Sequence, residues 1–227
     1  MTTTYLTHNR IELALHTLRE ADGPTRRLLH GLGEASPAEV PEYAAGWPGR
    51  VVALDFTGHG ASTLPSGGGY TAELVMADAD IALQHLGEVT IVGRGLGAYI
   101  ALLVAGARTG CVHGAVLADG PGLSGGPSVP TSQPVVQLAP VPSTPDPYAI
   151  VELGRDLRPP DYAATFARMC VQTSDLDEPL MTRRPGGYGI HLTRTCVDRV
   201  THRVRVPQGN ELRLVRHLQP PIKESRA

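Results

Sequence analysis

Lysine is almost absent from this chain: Lys223 stands alone beside nineteen arginines in 227 residues. With abundant alanine, glycine and proline, this imbalance suggests a GC-rich coding sequence and says little about chemistry. Aromatic residues make up 4% of the chain and the net charge is −2. Neither a basic field nor interleaved stacking side chains point to nucleic acid. Cys111, Cys170 and Cys196 are widely spaced. They form no C-x-x-C pair and no even disulfide framework, so a reducing, cytoplasmic compartment is expected. No apolar run approaches the ~20 residues that span a bilayer. The opening stretch MTTTYLTHNRIELALHTLRE carries Glu12 and His16 in its apolar part. It lacks the basic-then-apolar order of a signal peptide. No metal or cofactor is expected, and no membrane association. The oligomeric state is unreadable, with a homodimer left open.

What is present alternates between strand and helix. RRLLHGLG (26–33) reads as a strand running into a glycine turn. SPAEVPEYAAGW (36–47) reads as a helix with Ser36 as N-cap before Pro37. RVVALDF (50–56) reads as a buried strand ending at Asp55. YTAELVMADADIALQHLG (70–87) has helical apolar spacing, with Thr71 to cap it and Gly87 to stop it. VTIVG (89–93) and HGAVLADG (113–120) read as strands, with a helix over 98–107 between them. The order predicts an α/β fold with a doubly wound, mostly parallel sheet. Residues 121–147 are proline-rich and read as a lid-like excursion, and 159–174 as one more helix. The chain is thus read as a domain over 1–180 and a basic segment over 181–227. That segment holds nine arginines and one lysine against three acids. THRVRVP and NELRLVRHL in it alternate weakly, as a solvated strand pair would. It is expected to be less ordered than the sheet.

Three motifs stand in order: LLHGLG with His30-Gly31 after a strand, LDFTGHGAST with Asp55, Gly58, His59, Gly60 and Ser62, and VGRGLGA. Together, over roughly residues 10–120, they resemble the α/β-hydrolase fold superfamily. The resemblance implies a three-layer α/β sandwich, with VGRGLGA as the nucleophile elbow G-x-S-x-G. The flanking Gly93 and Gly97 match, but the central residue is Gly95. Glycine adopts the elbow's strained conformation more easily than serine and removes the nucleophilic oxygen. Loss of a triad nucleophile costs on the order of a million-fold in rate.

The resemblance further implies an oxyanion hole from the amides of Leu32 and Leu96. It assigns His59 and Ser62 to a structural loop. For the remaining triad positions the candidates are Asp175 or Asp177, and His191, His202 or His217. None has the superfamily's usual context, and the tail does not read as the two closing strands expected there, so the C-terminus reads as divergent or truncated. Other catalytic candidates are His30 and Asp119. His30 reads more readily as a satisfied core histidine, and Asp119 as a cap on the turn that follows it. Cys111 lies beyond the helix, at the wrong end of the sheet for a replacement nucleophile. His30, Gly31, Leu32, Arg94, Gly95 and Leu96 form the candidate ligand site, with Arg94 better read as half of an ion pair. The expected ligand is small, either apolar or carboxylate-bearing. Three functions follow: a non-hydrolytic binding or regulatory protein, a serine-independent acid–base enzyme of the same fold, or an NAD(P)-binding oxidoreductase. The last rests on Gly93, Gly95 and Ala98 matching G-x-G-x-x-[G/A], with Asp119 placed as a ribose-binding acid.

Overall fold

The computed structural model describes residues 1–120, 144–155, 199–205 and 209–215. The chain opens with an antiparallel hairpin, β1 (Thr2–His8) and β2 (Ile11–Arg19). Its turn places Asn9 at φ 57°, a left-handed conformation that asparagine tolerates. The β-branched run Thr2-Thr3-Thr4 before that Asn9 is the signal of a strand and turn that the sequence reading passed over. β3 (Thr25–Leu29), β4 (Val51–Leu54), β5 (Val89–Arg94) and β6 (Val112–Ala118) follow the expected strands closely. β7 (Arg199–Arg205) and β8 (Gly209–Val215) come from the basic segment.

One sheet unites them in the order β1-β2-β4-β3-β5-β6-β8-β7. The central four strands β4-β3-β5-β6 are parallel. β2 joins β4 and β8 joins β6 in antiparallel fashion. The fold class is therefore as expected: a mixed α/β sheet with a parallel centre. The tail corrects one expectation. It does supply two closing strands, with Leu212 of β8 level with Leu117 of β6. They fall largely on THRVRVP and NELRLVRHL, whose weak alternation fits a strand pair and whose arginines dilute the apolar pattern.

Four helices are described: α1 (Glu42–Ala45), α2 (Ala72–Leu86), α3 (Leu96–Ala107) and α4 (Pro147–Leu153). α2 is bounded as its caps dictate. The Thr71 hydroxyl accepts from the Leu74 amide, and Gly87 ends the helix at φ 76°. The helix expected over 36–47 shrinks to α1, with Pro41 and not Ser36 at its N-cap. The residue before a proline avoids the helical region, so Pro41 blocks a helix through Val40. The Ser36 amide instead donates to Asp55 Oδ1 at 2.7 Å.

Adjacent residues on the parallel strands point to opposite faces, and both faces are covered. Leu29, Val52, Leu54 and Ile91 pack against α2 and α3 through Val75, Leu83, Ile100 and Val104. Leu28, Val51 and Ala53 face Ala44 of α1 and Trp47. Fully buried side chains such as Ile91 and Ile100 each contribute about 1.5–3 kcal/mol of transfer free energy. The parallel strands all end at one edge of this core, and the three motifs meet there.

Candidate functional site

β5 turns into α3 at Gly95, which has φ 55° and ψ −118°. Backbone bonds fix the turn. The Gly95 amide donates to Ala118 O at 2.9 Å, and the Ala98 and Tyr99 amides donate to Gly95 O at 3.1 and 3.2 Å. The Gly97 amide donates to His30 O at 3.0 Å. A Cβ on Gly93 would stand 2.2 Å from Gly97 O, and one on Gly97 would stand 2.3 Å from Leu29 O. Both positions require glycine because α3 starts in backbone contact with two strands. This contact accounts for the glycine spacing that dinucleotide folds share. Gly95 is different. A Cβ there would meet only Gly31 Cα, at an ordinary 3.5 Å. Space admits a side chain, and the positive φ is what disfavours one.

The turn after β3 lies against this elbow. Glu34 reaches back across it: Oε2 accepts from the Gly31 amide at 3.0 Å, and Oε1 pairs with Arg94. Arg94 is thus in an ion pair, as its sequence context favoured. The side chains of the pair are 61% and 41% exposed. His30 is buried, with Nδ1 donating to Gly31 O at 2.7 Å and Nε2 accepting from the Phe56 amide at 3.1 Å. Both nitrogens are used by a neutral ring. Burial holds its pKa down at about 4, the Gly31 bond opposing only in part.

The loop after β4 is built from buried polar side chains. The Asp55 carboxylate accepts from His16 Nε2 at 2.9 Å, the Ala61 amide at 2.8 Å and the Ser36 amide at 2.7 Å. Burial alone would raise its pKa, but these bonds together bring it below the ordinary carboxylate value. Ser62 Oγ donates to Asp55 O at 2.6 Å and accepts from the Ala14 amide at 2.9 Å. His59 donates through Nδ1 to Thr57 O and accepts at Nε2 from the Gly33 amide. Its pKa is lowered chiefly by burial. The His30 and His59 rings pack at a tilt of 47°, with centroids 5.0 Å apart.

α4 sits over these loops. Asp146 caps it, accepting from the Tyr148 amide at 3.0 Å, while its own amide donates to Gly58 O at 2.8 Å. The buried Tyr70 hydroxyl donates to Asp146 Oδ2 at 2.6 Å. Burial and this bond push the Tyr70 pKa up. Glu152 Oε2 accepts from the Gly69 and Tyr70 amides. Ile150 Cδ1 lies 3.0 Å from where a Cβ on Gly33 would be. Sequence reasoning missed Glu34, Tyr70 and Asp146. The Asp146-Pro147 pair is a readable helix start, whereas nothing local marks the reach of Glu34.

The other candidates are dispersed. Asp119 follows the end of β6 at φ 48°, exposed, next to a Gly120 whose Cβ would lie 3.3 Å from Gly95 O. His202 is on the edge strand β7, paired in register with Leu212. Cys111 precedes β6, at the opposite end of that strand from Asp119. Asp175, Asp177, His191 and His217, the helix over 159–174 and most of the segment 121–147 lie outside the described residues. Among the described residues no group of three or more His, Cys, Asp or Glu could hold a metal ion, and no helix is long and apolar enough to cross a membrane.

A family model described as the alpha/beta hydrolase family matches residues 28–218. The chain belongs to that family. No curated protein matches it. Among solved structures, this hydrolase-family chain is similar to a thioesterase domain from the curacin biosynthetic pathway, at 27% identity and a TM-score of 0.46 over 50% of this chain and 44% of that one. It is also similar to an enol-lactonase from Burkholderia xenovorans, at 22% identity and a TM-score of 0.47 over 53% of this chain and 47% of that one. A third is alpha/beta hydrolase domain-containing protein 10 from mouse, at 22% identity and a TM-score of 0.43 over 49% and 47%. The chain thus spans less than half the length of each of these three structures.

Proposed function

We propose that this alpha/beta hydrolase family member binds a small ligand at the Gly95 elbow and performs no serine-nucleophile chemistry there. One observation carries the reading. Gly95 has the positive φ of a sharp strand–helix elbow yet bears no side-chain oxygen. Two candidate replacements are placed unfavourably. His30 has both ring nitrogens engaged, and Cys111 is at the far end of β6.

The binding half of the site is backbone and does not depend on serine. The Leu96 amide is the first of α3, so it has no partner within the helix. With the Leu32 amide on the turn beside Gly95, it forms the oxyanion position in this reading. A helix N-terminus favours an anion by about 0.3–1 kcal/mol through the dipole. Leu32 and Ile150 supply apolar surface on the surrounding loops, Ile150 Cδ1 3.0 Å from where a Cβ on Gly33 would be and Leu32 Cδ2 3.8 Å from where one on Gly154 would be. A small carboxylate with an apolar tail suits both features.

Amide-resolved NMR during titration with octanoate tests this. Shifts centred on Leu32, Gly95 and Leu96 are expected. The shallow cleft at the amino-terminal ends of the strands, lined by Pro24, Thr25, Glu88 and His113, is the contrasting location. Shifts confined there would overturn the reading. Micromolar binding of NAD or NADP would favour the oxidoreductase instead.

A further inference from the structure

We propose that Glu34 is an internal stand-in for a ligand carboxylate, and that the Arg94 guanidinium and the Gly31 amide are the clamp the ligand takes over by displacing it. The inference rests on the binding reading above and names the chemistry that the site selects.

Glu34 already demonstrates a carboxylate at the rim of the elbow. One oxygen accepts from the Gly31 amide at 3.0 Å and the other pairs with Arg94. Both donors adjoin Gly95: Arg94 precedes it in the chain, and Gly31 Cα is 3.5 Å from where its Cβ would be. A guanidinium and a peptide N–H converging on one carboxylate make a pair of charge-assisted donors. They are fixed from two elements, β5 and the turn after β3.

The pair can exchange because it is poorly buried. Arg94 is 61% and Glu34 41% exposed, so solvent screens the attraction. By contrast, the carboxylate of Asp55 is enclosed and accepts three bonds. A ligand carboxylate that reaches the elbow meets Glu34 as a competitor and as a like charge. A neutral ligand of the same length meets neither. Glu34 thus sets the penalty for small anions, and Arg94 sets the gain once Glu34 has moved aside.

Four proteins test this: wild type, Glu34→Gln, Arg94→Gln and the double variant, each titrated by NMR with octanoate and with octan-1-ol. Glu34→Gln keeps an oxygen for the Gly31 amide but removes the charge. Octanoate should bind it roughly fivefold more tightly than wild type. Arg94→Gln should weaken octanoate by a similar factor, and the double variant should lose the gain of Glu34→Gln. Octan-1-ol affinity should stay within about twofold throughout. Unchanged octanoate affinity in Glu34→Gln, or equal changes for both ligands, would overturn the clamp. Octan-1-ol binding at Gly95 with no octanoate binding by any variant would also overturn it and leave the binding reading standing. Failure of both ligands to shift Leu32, Gly95 or Leu96 in any protein would overturn both.

Discussion

The loop after β4 and the elbow after β5 lie at the same end of the sheet but are held by different means. Side chains hold the first. Asp55, His59 and Ser62 are buried, and together with His16 and His30 they tie the β2, β3 and β4 ends into one hydrogen-bonded block. Backbone holds the second: Gly93, Gly95 and Gly97 let α3 start against β3 and β6, and the charged pair at its rim is exposed. Residues that look reactive in the sequence are therefore spent on architecture in the first region. In the second a glycine, Gly95, stands at the turn itself, and the backbone shapes the elbow.

Substitutions should separate the two regions by size of effect. Asp55→Ala strands three donors, the buried His16 ring and the part-buried Ser36 and Ala61 amides, and a buried polar group left without its partner is costly. It should destabilise by about 3–5 kcal/mol, read from urea unfolding. A loss below about 1 kcal/mol would show that the block is not the fastener described. His30 gives the next effect, through pH. Its folded pKa of about 4 lies below the ordinary 6.5, so the unfolded chain binds the proton first. Its contribution is complete above about pH 6.5 and is lost as pH falls towards 4, on the order of 3 kcal/mol in all. The stability difference between wild type and His30→Gln should shrink over that interval, and parallel pH curves would contradict it. Gly95→Ala meets only strain at positive φ and should cost about 1–2 kcal/mol. A thermal melt compares it with Gly97→Ala, which must push backbone aside and should be the worse of the two. The smallest effect is Arg94→Gln, below about 1 kcal/mol because the pair is exposed. A larger loss there would erase the contrast between the regions.

The sequence revealed the elements whose signals are local. Thr71 and Gly87 bounded α2, and the apolar β-branched runs marked the parallel strands. The β1–β2 hairpin was overlooked although Asn9 marks its turn. Over 36–47, Ser36-Pro37 has the pattern of a helix cap, yet Pro41 confines the helix to Glu42–Ala45. Motif order identified the family correctly and placed His30-Gly31 beside Gly95. Contacts between distant segments were invisible: Glu34 with Arg94, sixty residues apart, and Tyr70 with Asp146, seventy-six apart. Such pairs follow from where the strands end, not from neighbours in the chain.

The central claim is that Gly95 leaves a binding frame without a nucleophile. Turnover of p-nitrophenyl acetate by the purified full chain, against a buffer blank and the Gly95→Ala variant, tests it most directly. Wild type and variant should both be indistinguishable from the blank. Catalysis that co-purifies with the wild-type protein and scales with its concentration would contradict it.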